Sequence, residues 1–522
     1  MIGSRPRALL AVLAVVLPVA ACGPFASDPQ PSGTPASSSS STPAAPDPAL
    51  ARYYSQALDW TSCASGYQCA TLTVPVDYAR PEAGDTSIAV TRRRSKGATS
   101  SLVVNPGGPG GSGVEYAQVA EFVIGPNVRK AYDIVGFDPR GVAGSDPVDC
   151  LSDAELDELF AADGTPDDPA EVAEVARVSG EVGPGCAAGS ARLAGHVDTV
   201  SAARDMDILR AALGDEQLTY LGKSYGTLLG AQYADLFPSR VGRMVLDGAL
   251  PGNLDGDQIT HDQAVAFDVA LQRFVADCVT QDDCPLPSEA DAAMARVRQF
   301  IDDLDAHPLP GIGDRTLNQA LGTYAILTAL YDWQFGWPQL RYGLEAAFEG
   351  DGSVLLDMVN DAVKREANGT YEDNGNEAFF AVSCLDRPSS GGVDHVEELA
   401  RQWAQDAPVF GEYLAWGTLP CAGWPLTPEA PAGQPRVLRA EGSAPILVVS
   451  TRYDPATPYQ WGVTVADQLA NAGLLTFEGD GHTGYMAGST CVDRAVDAYY
   501  LSGTMPAEGA TCQPDPVSDG GF

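Results

Sequence analysis

The chain has 522 residues, 45% hydrophobic and 19% charged, enough to bury a sizeable core as two or three domains or as one large core with an insertion. Its 31 Lys and Arg against 69 Asp and Glu give a formal net charge of −38, which argues against nucleic acid as a partner because phosphate binding needs clustered basic side chains. The tight basic cluster Arg92-Arg93-Arg94 with Lys96 reads as an exposed strand end or loop, and the acidity as solubility and weak repulsion of anions.

Residues 1–21 read as an export signal. Arg5 and Arg7 precede an apolar run from Ala8 to Ala21 that is too short to span a membrane. The run ends in Val19-Ala20-Ala21-Cys22, which suits ordinary signal cleavage and also resembles the bacterial lipobox, where the cysteine becomes the lipid-modified N-terminus. The chain has 11 cysteines, and setting Cys22 aside leaves an even set that can all pair, which favours the lipid anchor. The expected location is therefore the cell envelope, at the outer face of the cytoplasmic membrane with membrane contact through the anchor only, a released form being the alternative. The remaining cysteines fall into the neighbouring couples Cys63/Cys69, Cys150/Cys186, Cys278/Cys284, Cys384/Cys421 and Cys491/Cys512. Export makes a disulfide framework the expectation, although sequence alone leaves its connectivity open. Metal binding is the weaker alternative, because no Cys-x-x-Cys and no suitable His pair accompany them.

Residues 22–50 are dominated by Pro, Ser, Ala, Thr, Gly and Asp, a composition that cannot bury enough apolar surface to fold and predicts a flexible tether. A first core segment is expected over 51–254. Ala70 to Val76 and Ser87 to Arg92 alternate as strands do, with a turn-rich stretch from Pro81 to Asp85 between them. The short apolar strand Ser101 to Asn105 runs into Pro106-Gly107-Gly108-Pro109-Gly110-Gly111, and Tyr132 to Asp138 runs into Pro139-Arg140-Gly141. A helix over Thr199 to Leu213 leads to the strand Leu218 to Lys223, the motif Gly222-Lys223-Ser224-Tyr225-Gly226, a second helix, and the strand Arg243 to Gly248. This alternation predicts an α/β fold, a mostly parallel sheet flanked by helices, with the site at the carboxyl ends of its strands.

Over 255–436 helical periodicity takes over and aromatic residues collect in Tyr331-Asp332-Trp333-Gln334-Phe335-Gly336-Trp337, predicting a mainly helical cap insertion. The α/β pattern resumes over 437–522 with Pro445 to Ser450 and Leu474 to Phe477.

Gly-x-Ser-x-Gly between a strand and a helix is the setting in which a serine becomes an exposed nucleophile, although a serine that merely caps the helix has the same surroundings. The hydroxyl needs a base, an orienting acid and an oxyanion site. Of five histidines, His196 precedes a helix in the first half, and His261, His307 and His395 lie in the helical insertion. His482 stands on a loop directly after the last apolar strand, so it is the candidate base. Asp454 precedes it by one helix plus one strand and is the candidate acid, with Asp480 the competitor and helix capping its alternative role. The backbone N–H of Tyr225 and one from the Gly107-Gly108 turn are the candidate oxyanion donors. The Gly-rich turn lacks a closing Gly-Lys-Ser/Thr, which disfavours nucleotide binding. The chemistry calls for no cofactor and no metal.

Gly107-Gly108-Pro109-Gly110, Phe137-Asp138-Pro139-Arg140-Gly141, Gly222-Lys223-Ser224-Tyr225-Gly226, Asp454 and Gly481-His482 together resemble the α/β-hydrolase fold. More narrowly they resemble its proline-iminopeptidase and tripeptidyl-aminopeptidase branch, and the exported actinobacterial tripeptidyl aminopeptidases most. Pro106 stands where proline iminopeptidases usually have His, which weakens any transfer of proline specificity. The resemblance implies removal of short N-terminal peptides through an acyl-enzyme on Ser224, with peptides bearing a free N-terminus as partners. Recognition of a free ammonium calls for carboxylates, and Glu372, Asp373, Glu377 and Asp386 are the candidates, a solvated acidic loop being the alternative. Two other functions compete: an esterase or lipase of the same fold, and a peptide-binding lipoprotein of a transporter, which has no use for an ordered Ser-Asp-His set.

Overall fold

The computed structural model describes residues 45–389, 391–427 and 435–516. The export signal, Cys22 and the tether up to residue 44 lie outside the described residues, and the end expected to be flexible is instead ordered, with a tight helical turn at Pro48–Leu50 and Leu50 buried in the core. The framework is one sheet of ten strands: β1 (Thr61–Ser62), β2 (Gln68–Pro75), β3 (Asp85–Arg93), β4 (Ser101–Asn105), β5 (Asp133–Phe137), β6 (Leu218–Lys223), β7 (Val241–Asp247), and, after a helical run, β10 (Ile446–Tyr453), β11 (Ala472–Asp480) and β12 (Thr511–Cys512). Their spatial order is β1-β2-β3-β5-β4-β6-β7-β10-β11-β12. The first three pairings are antiparallel and all those from β5 to β12 are parallel. Apolar side chains cover both faces of the central strands, which is why β4, β6 and β10 read as continuous apolar runs while β3 alternates. Val103, Tyr220 and Val448 enter one core cluster, and Leu102, Leu221 and Leu447 the other.

Parallel strands all present their carboxyl ends at one edge, so the loops after β4, β6, β7, β10 and β11 leave together. The Phe137-Asp138-Pro139-Arg140-Gly141 segment serves the fold there. The Arg140 guanidinium is fully buried and reaches both Asp205 oxygens, at 2.7 and 2.6 Å, and the carbonyls of Pro75, Val76 and His196. Asp138 accepts from the Ser112 hydroxyl at 2.6 Å and from Val114 N and Gly144 N at 3.0 Å, tying the β5 loop to the end of the Gly-rich loop.

Between β7 and β10 the elements among the described residues are helices joined by loops, apart from a two-stranded ladder of β8 (Leu309–Pro310) and β9 (Thr316–Leu317). The helices from Gly256–Cys278 to Ser353–Val363 share a core of their own, including Phe274, Leu304, Leu321 and Leu340. One allocation differs from the sequence-based one. Helices Asp153–Ala161 and Pro169–Gly189, expected within the first core segment, also contribute to the helical layer. Val175 packs with Val396, Trp403 and Trp416, and Arg365 pairs with Asp157 at 2.6 Å. Their apolar residues satisfy a helix-on-helix surface as well as a helix-on-sheet one, and periodicity cannot tell the two apart. Among the described residues five disulfides join Cys63–Cys69, Cys150–Cys186, Cys278–Cys284, Cys384–Cys421 and Cys491–Cys512. Among the described residues no helix is long and apolar enough to cross a membrane.

Candidate active site

Ser224 sits where β6 passes into the helix Tyr225–Leu236, with φ 54° and ψ −130°. A non-glycine residue at positive φ is strained, and such strain is characteristic of a serine held out from a sharp strand-to-helix turn. The flanking glycines are sterically required: a Cβ on Gly222 would strike the Gly226 carbonyl, and one on Gly226 would lie 2.7 Å from Asn105 Oδ1. Ser224 makes no side-chain cap to its helix, so the bland role for the motif is unfilled. Its N–H donates to the Asp247 carbonyl at 3.0 Å.

Asp454 follows β10 directly and is 2% exposed. Its Oδ1 accepts from the N–H groups of Ala456 and Thr457 at 2.9 and 2.8 Å, and its Oδ2 from the Thr457 hydroxyl at 2.9 Å and Thr483 N at 3.1 Å. His482 Nδ1 lies 2.9 and 3.0 Å from the two oxygens. A carboxylate surrounded by donors can only accept, so Nδ1 carries the proton and Nε2 presents a lone pair. That Nε2 is buried and has no hydrogen-bond partner among the described residues. The helix Tyr459–Gln468 starts without a side-chain cap, so Asp454 serves the turn and the histidine. Asp480, the competing acid, is taken by Arg273 at 2.7 and 2.8 Å. His261 and His395 pair with Asp406 and Asp257 at 3.2 and 2.8 Å, in the helical layer.

The Gly-rich loop after β4 closes the site from the other side. A Cβ on Gly107 would lie 2.6 Å from the Lys223 carbonyl, 2.8 Å from Ser224 Cβ and 3.0 Å from Tyr225 N. Gly107 and Gly108 have φ of 98° and 106°, values that side chains rarely adopt. Gly107 rather than Gly108 thus packs on the nucleophile, with Gly108 one residue beyond it. Tyr225 is the first residue of its helix, so its N–H has no intrahelical acceptor. The Tyr225 phenol, whose pKa is raised by burial, meets the Thr199 hydroxyl at 2.5 Å.

The four candidate amine-binding carboxylates divide. Glu377 Oε1 accepts from Cys150 N and Leu151 N at 2.5 and 2.9 Å, and burial pushes its carboxyl up. Asp386 accepts from Thr199 N at 3.0 Å and from the Thr199 hydroxyl, and burial pushes it up to about 6. Both are buried and already accept from donors of the fold. Asp373 faces Lys364 at 2.6 Å, and Lys364 also reaches Glu115. Glu372 is exposed. The segment that carries them borders the Gly-rich loop, because a Cβ on Gly110 would collide with the Gly375 carbonyl.

Several site residues escaped the sequence. The Tyr331 carbonyl accepts from His482 N at 2.8 Å, and its ring stands edge-on to the imidazole at 5.3 Å, so the helical layer backs the histidine. Thr457 Oγ1 lies 3.3 Å from His482 Nδ1. Asp247 accepts from Gly484 N and Tyr485 N at 2.8 and 2.9 Å, and Lys223 donates to the Tyr485 carbonyl at 2.7 Å. Their one signal was position: Lys223 lies inside the Ser224 motif, and Asp247-Gly248 ends a strand at the same edge. Among the described residues, three carboxylates with oxygens within 4.8 Å of one another are Asp163, Glu171 and Asp305. They contribute nothing to the arrangement around Ser224.

A family profile described as TAP-like protein matches residues 407–512. The chain is 38% identical over 480 residues to serine protease Hip1 of Mycobacterium tuberculosis, covering 88% of this chain and 91% of that one. It is 31% identical over 482 residues to tripeptidyl aminopeptidase of Streptomyces lividans, covering 89% and 88%, and 36% identical over 457 residues to carboxylesterase B of Mycobacterium tuberculosis, covering 86% of each. With likeness along nearly the whole length of both partners, and a largely parallel sheet carrying a strained serine and an Asp-His pair at one edge, the chain belongs to the TAP-like family of α/β-hydrolase serine peptidases.

Proposed function

We propose that this enzyme is an exported aminopeptidase that releases short N-terminal peptides, of the tripeptide class, through an acyl-enzyme on Ser224. The observation that carries the reading is the Asp454–His482 pair, whose Nδ1 contact leaves a buried, unpartnered Nε2 at the edge where the strained Ser224 stands. In the first half-reaction Nε2 takes the hydroxyl proton as Ser224 Oγ attacks the scissile carbonyl. Asp454 holds the tautomer and stabilises the imidazolium. The N–H groups of Tyr225 and Gly108 receive the oxyanion, the imidazolium protonates the leaving amine, and water repeats the cycle on the acyl-enzyme.

Tripeptide release is supported by the 31% identity to tripeptidyl aminopeptidase. Glu372, the exposed one of the four, and then Asp373 are the carboxylates proposed for the substrate ammonium. The relative named carboxylesterase B favours a second reading, hydrolysis of small esters. Export and a lipid anchor on Cys22 rest on the N-terminal pattern, and the mass of the mature N-terminus tests them.

A fluorophosphonate should label the parent and leave Ser224→Ala unlabelled; equal labelling would remove Ser224 as nucleophile. Rates on free-amine di- and tripeptide amides, N-blocked peptides and short esters then separate the readings. Faster turnover of free-amine tripeptides supports the aminopeptidase, and turnover of esters alone supports the esterase. Glu372→Gln should raise KM for free-amine peptides and leave that for short esters unchanged.

A further inference from the structure

We propose that Lys223 and Asp247 form a positioning pair that carries the His482 loop back across the sheet edge to Ser224, a role that rests on Ser224 and His482 being nucleophile and base. β11, which delivers His482, is three places from β6 in the sheet. At about 4.8 Å per place the loop must recover roughly 14 Å by crossing the ends of β10 and β7. It does so in a backbone that is costly to hold. Thr483 and Met486 have φ of 71° and 61°, and a β-branched residue in that region is an outlier that its surroundings must enforce.

The enforcement comes from three strand ends. Asp454 after β10 binds Thr483 N at 3.1 Å. Asp247 at the end of β7 binds Gly484 N and Tyr485 N at 2.8 and 2.9 Å, while its own carbonyl receives Ser224 N at 3.0 Å. Lys223 at the end of β6 donates from Nζ to the Tyr485 carbonyl at 2.7 Å and the Thr483 hydroxyl at 3.2 Å, and lies 3.6 Å from Asp247 Oδ2. The same two residues thus hold the backbone on both sides of the reaction: Lys223 adjoins Ser224 in sequence, and Asp247 adjoins Gly248, where a Cβ would come within 3.3 Å of His482 Cε1. The side chains are 12% and 0% exposed. A buried ion pair is a poor route to stability, since apolar replacements are often as stable. Its directed bonds to one strained loop are a better reason for these charges.

The test uses the mature full-length protein with Lys223→Met and Asp247→Asn. Melting and circular dichroism establish that each variant is folded. The expected result in both is a kcat at least 30-fold below the parent, a KM within threefold, proportionally slower fluorophosphonate labelling, and faster hydrogen exchange confined to residues 483–486. Parent-like kcat or unchanged exchange there in a folded variant overturns the proposal. If neither variant folds, exchange in the parent decides: Gly484 and Tyr485 amides must be as protected as those of β7, and rapid exchange overturns it. Failure of the parent to label at Ser224 removes the nucleophile assignment itself, a result separable from normal labelling in the variants.

Discussion

Replacing Asp454 by Asn changes few atoms and should nearly abolish turnover. The carboxylate accepts four donors besides the imidazole: Ala456 N, Thr457 N, the Thr457 hydroxyl and Thr483 N. An Asn amide oxygen can keep the two N–H groups now on Oδ1, which places its NH2 where Oδ2 meets Thr483 N, Thr457 Oγ1 and His482 Nδ1. The hydroxyl can rotate to accept, but Thr483 N then faces a donor, at about 1–3 kcal/mol of stability. More consequentially, the NH2 donates to Nδ1 and moves the imidazole proton to Nε2, where it blocks removal of the serine proton. Such a tautomer reversal lowers kcat by roughly 10⁴-fold, about 5.4 kcal/mol of transition-state stabilisation. The assay is kcat on a free-amine tripeptide amide from pH 6 to 10, normalised to folded protein. A kcat within tenfold of the parent, in a variant that still melts cooperatively, would refute the assignment of acid and base.

Gly107→Ala should lower kcat/KM by about 10²–10³-fold, the worth of an oxyanion donor, because the added Cβ meets Ser224 Cβ at 2.8 Å and Tyr225 N at 3.0 Å; parent-like kinetics would show that the loop does not close on the nucleophile. Glu377→Ala should cost about 1–3 kcal/mol in denaturant unfolding, by orphaning the Cys150 and Leu151 N–H groups, without changing KM for free-amine peptides. A KM raised tenfold for those peptides alone would restore Glu377 as an ammonium anchor. Asp386, raised from 3.8 to about 6 by burial, binds its proton more tightly folded than unfolded, so its contribution is fully present below pH 3.8 and lost as pH rises to about 6. The difference is about 3 kcal/mol at 1.36 kcal/mol per pH unit. Asp386→Asn should therefore gain stability relative to the parent between pH 4 and pH 7, measured by urea unfolding at both. A pH-independent difference would mean that this carboxyl is not perturbed.

Glu377 and Asp386 mark what reading the chain alone leaves out. In sequence they are two of four acidic candidates, and nothing local says that they already accept from buried donors. The donors that fill them, at Cys150, Leu151 and Thr199, are more than 180 positions away. The same distance hid the allegiance of the helices Asp153–Ala161 and Pro169–Gly189, whose apolar stripes suit more than one surface. Asp454 and His482 were legible for the opposite reason. Each follows an apolar strand of a parallel sheet, and parallel connections bring all such ends to one edge, so placement follows from pattern without knowledge of long-range contacts.

The sequence by itself determined the α/β alternation, the carboxyl edge at which its loops gather, and Ser224, Asp454 and His482 as the candidates that the fold brings to that edge. Those follow from local periodicity and from glycines whose missing side chains a turn requires. Only the tertiary structure decided which carboxylates are spent on backbone donors. It also brought Tyr331 of the helical layer against His482, and bonded the His482 loop to Lys223 and Asp247 where it crosses two strand ends. These are pairings between groups far apart in the chain, made when the sheet order β6-β7-β10-β11 brings them within hydrogen-bond reach.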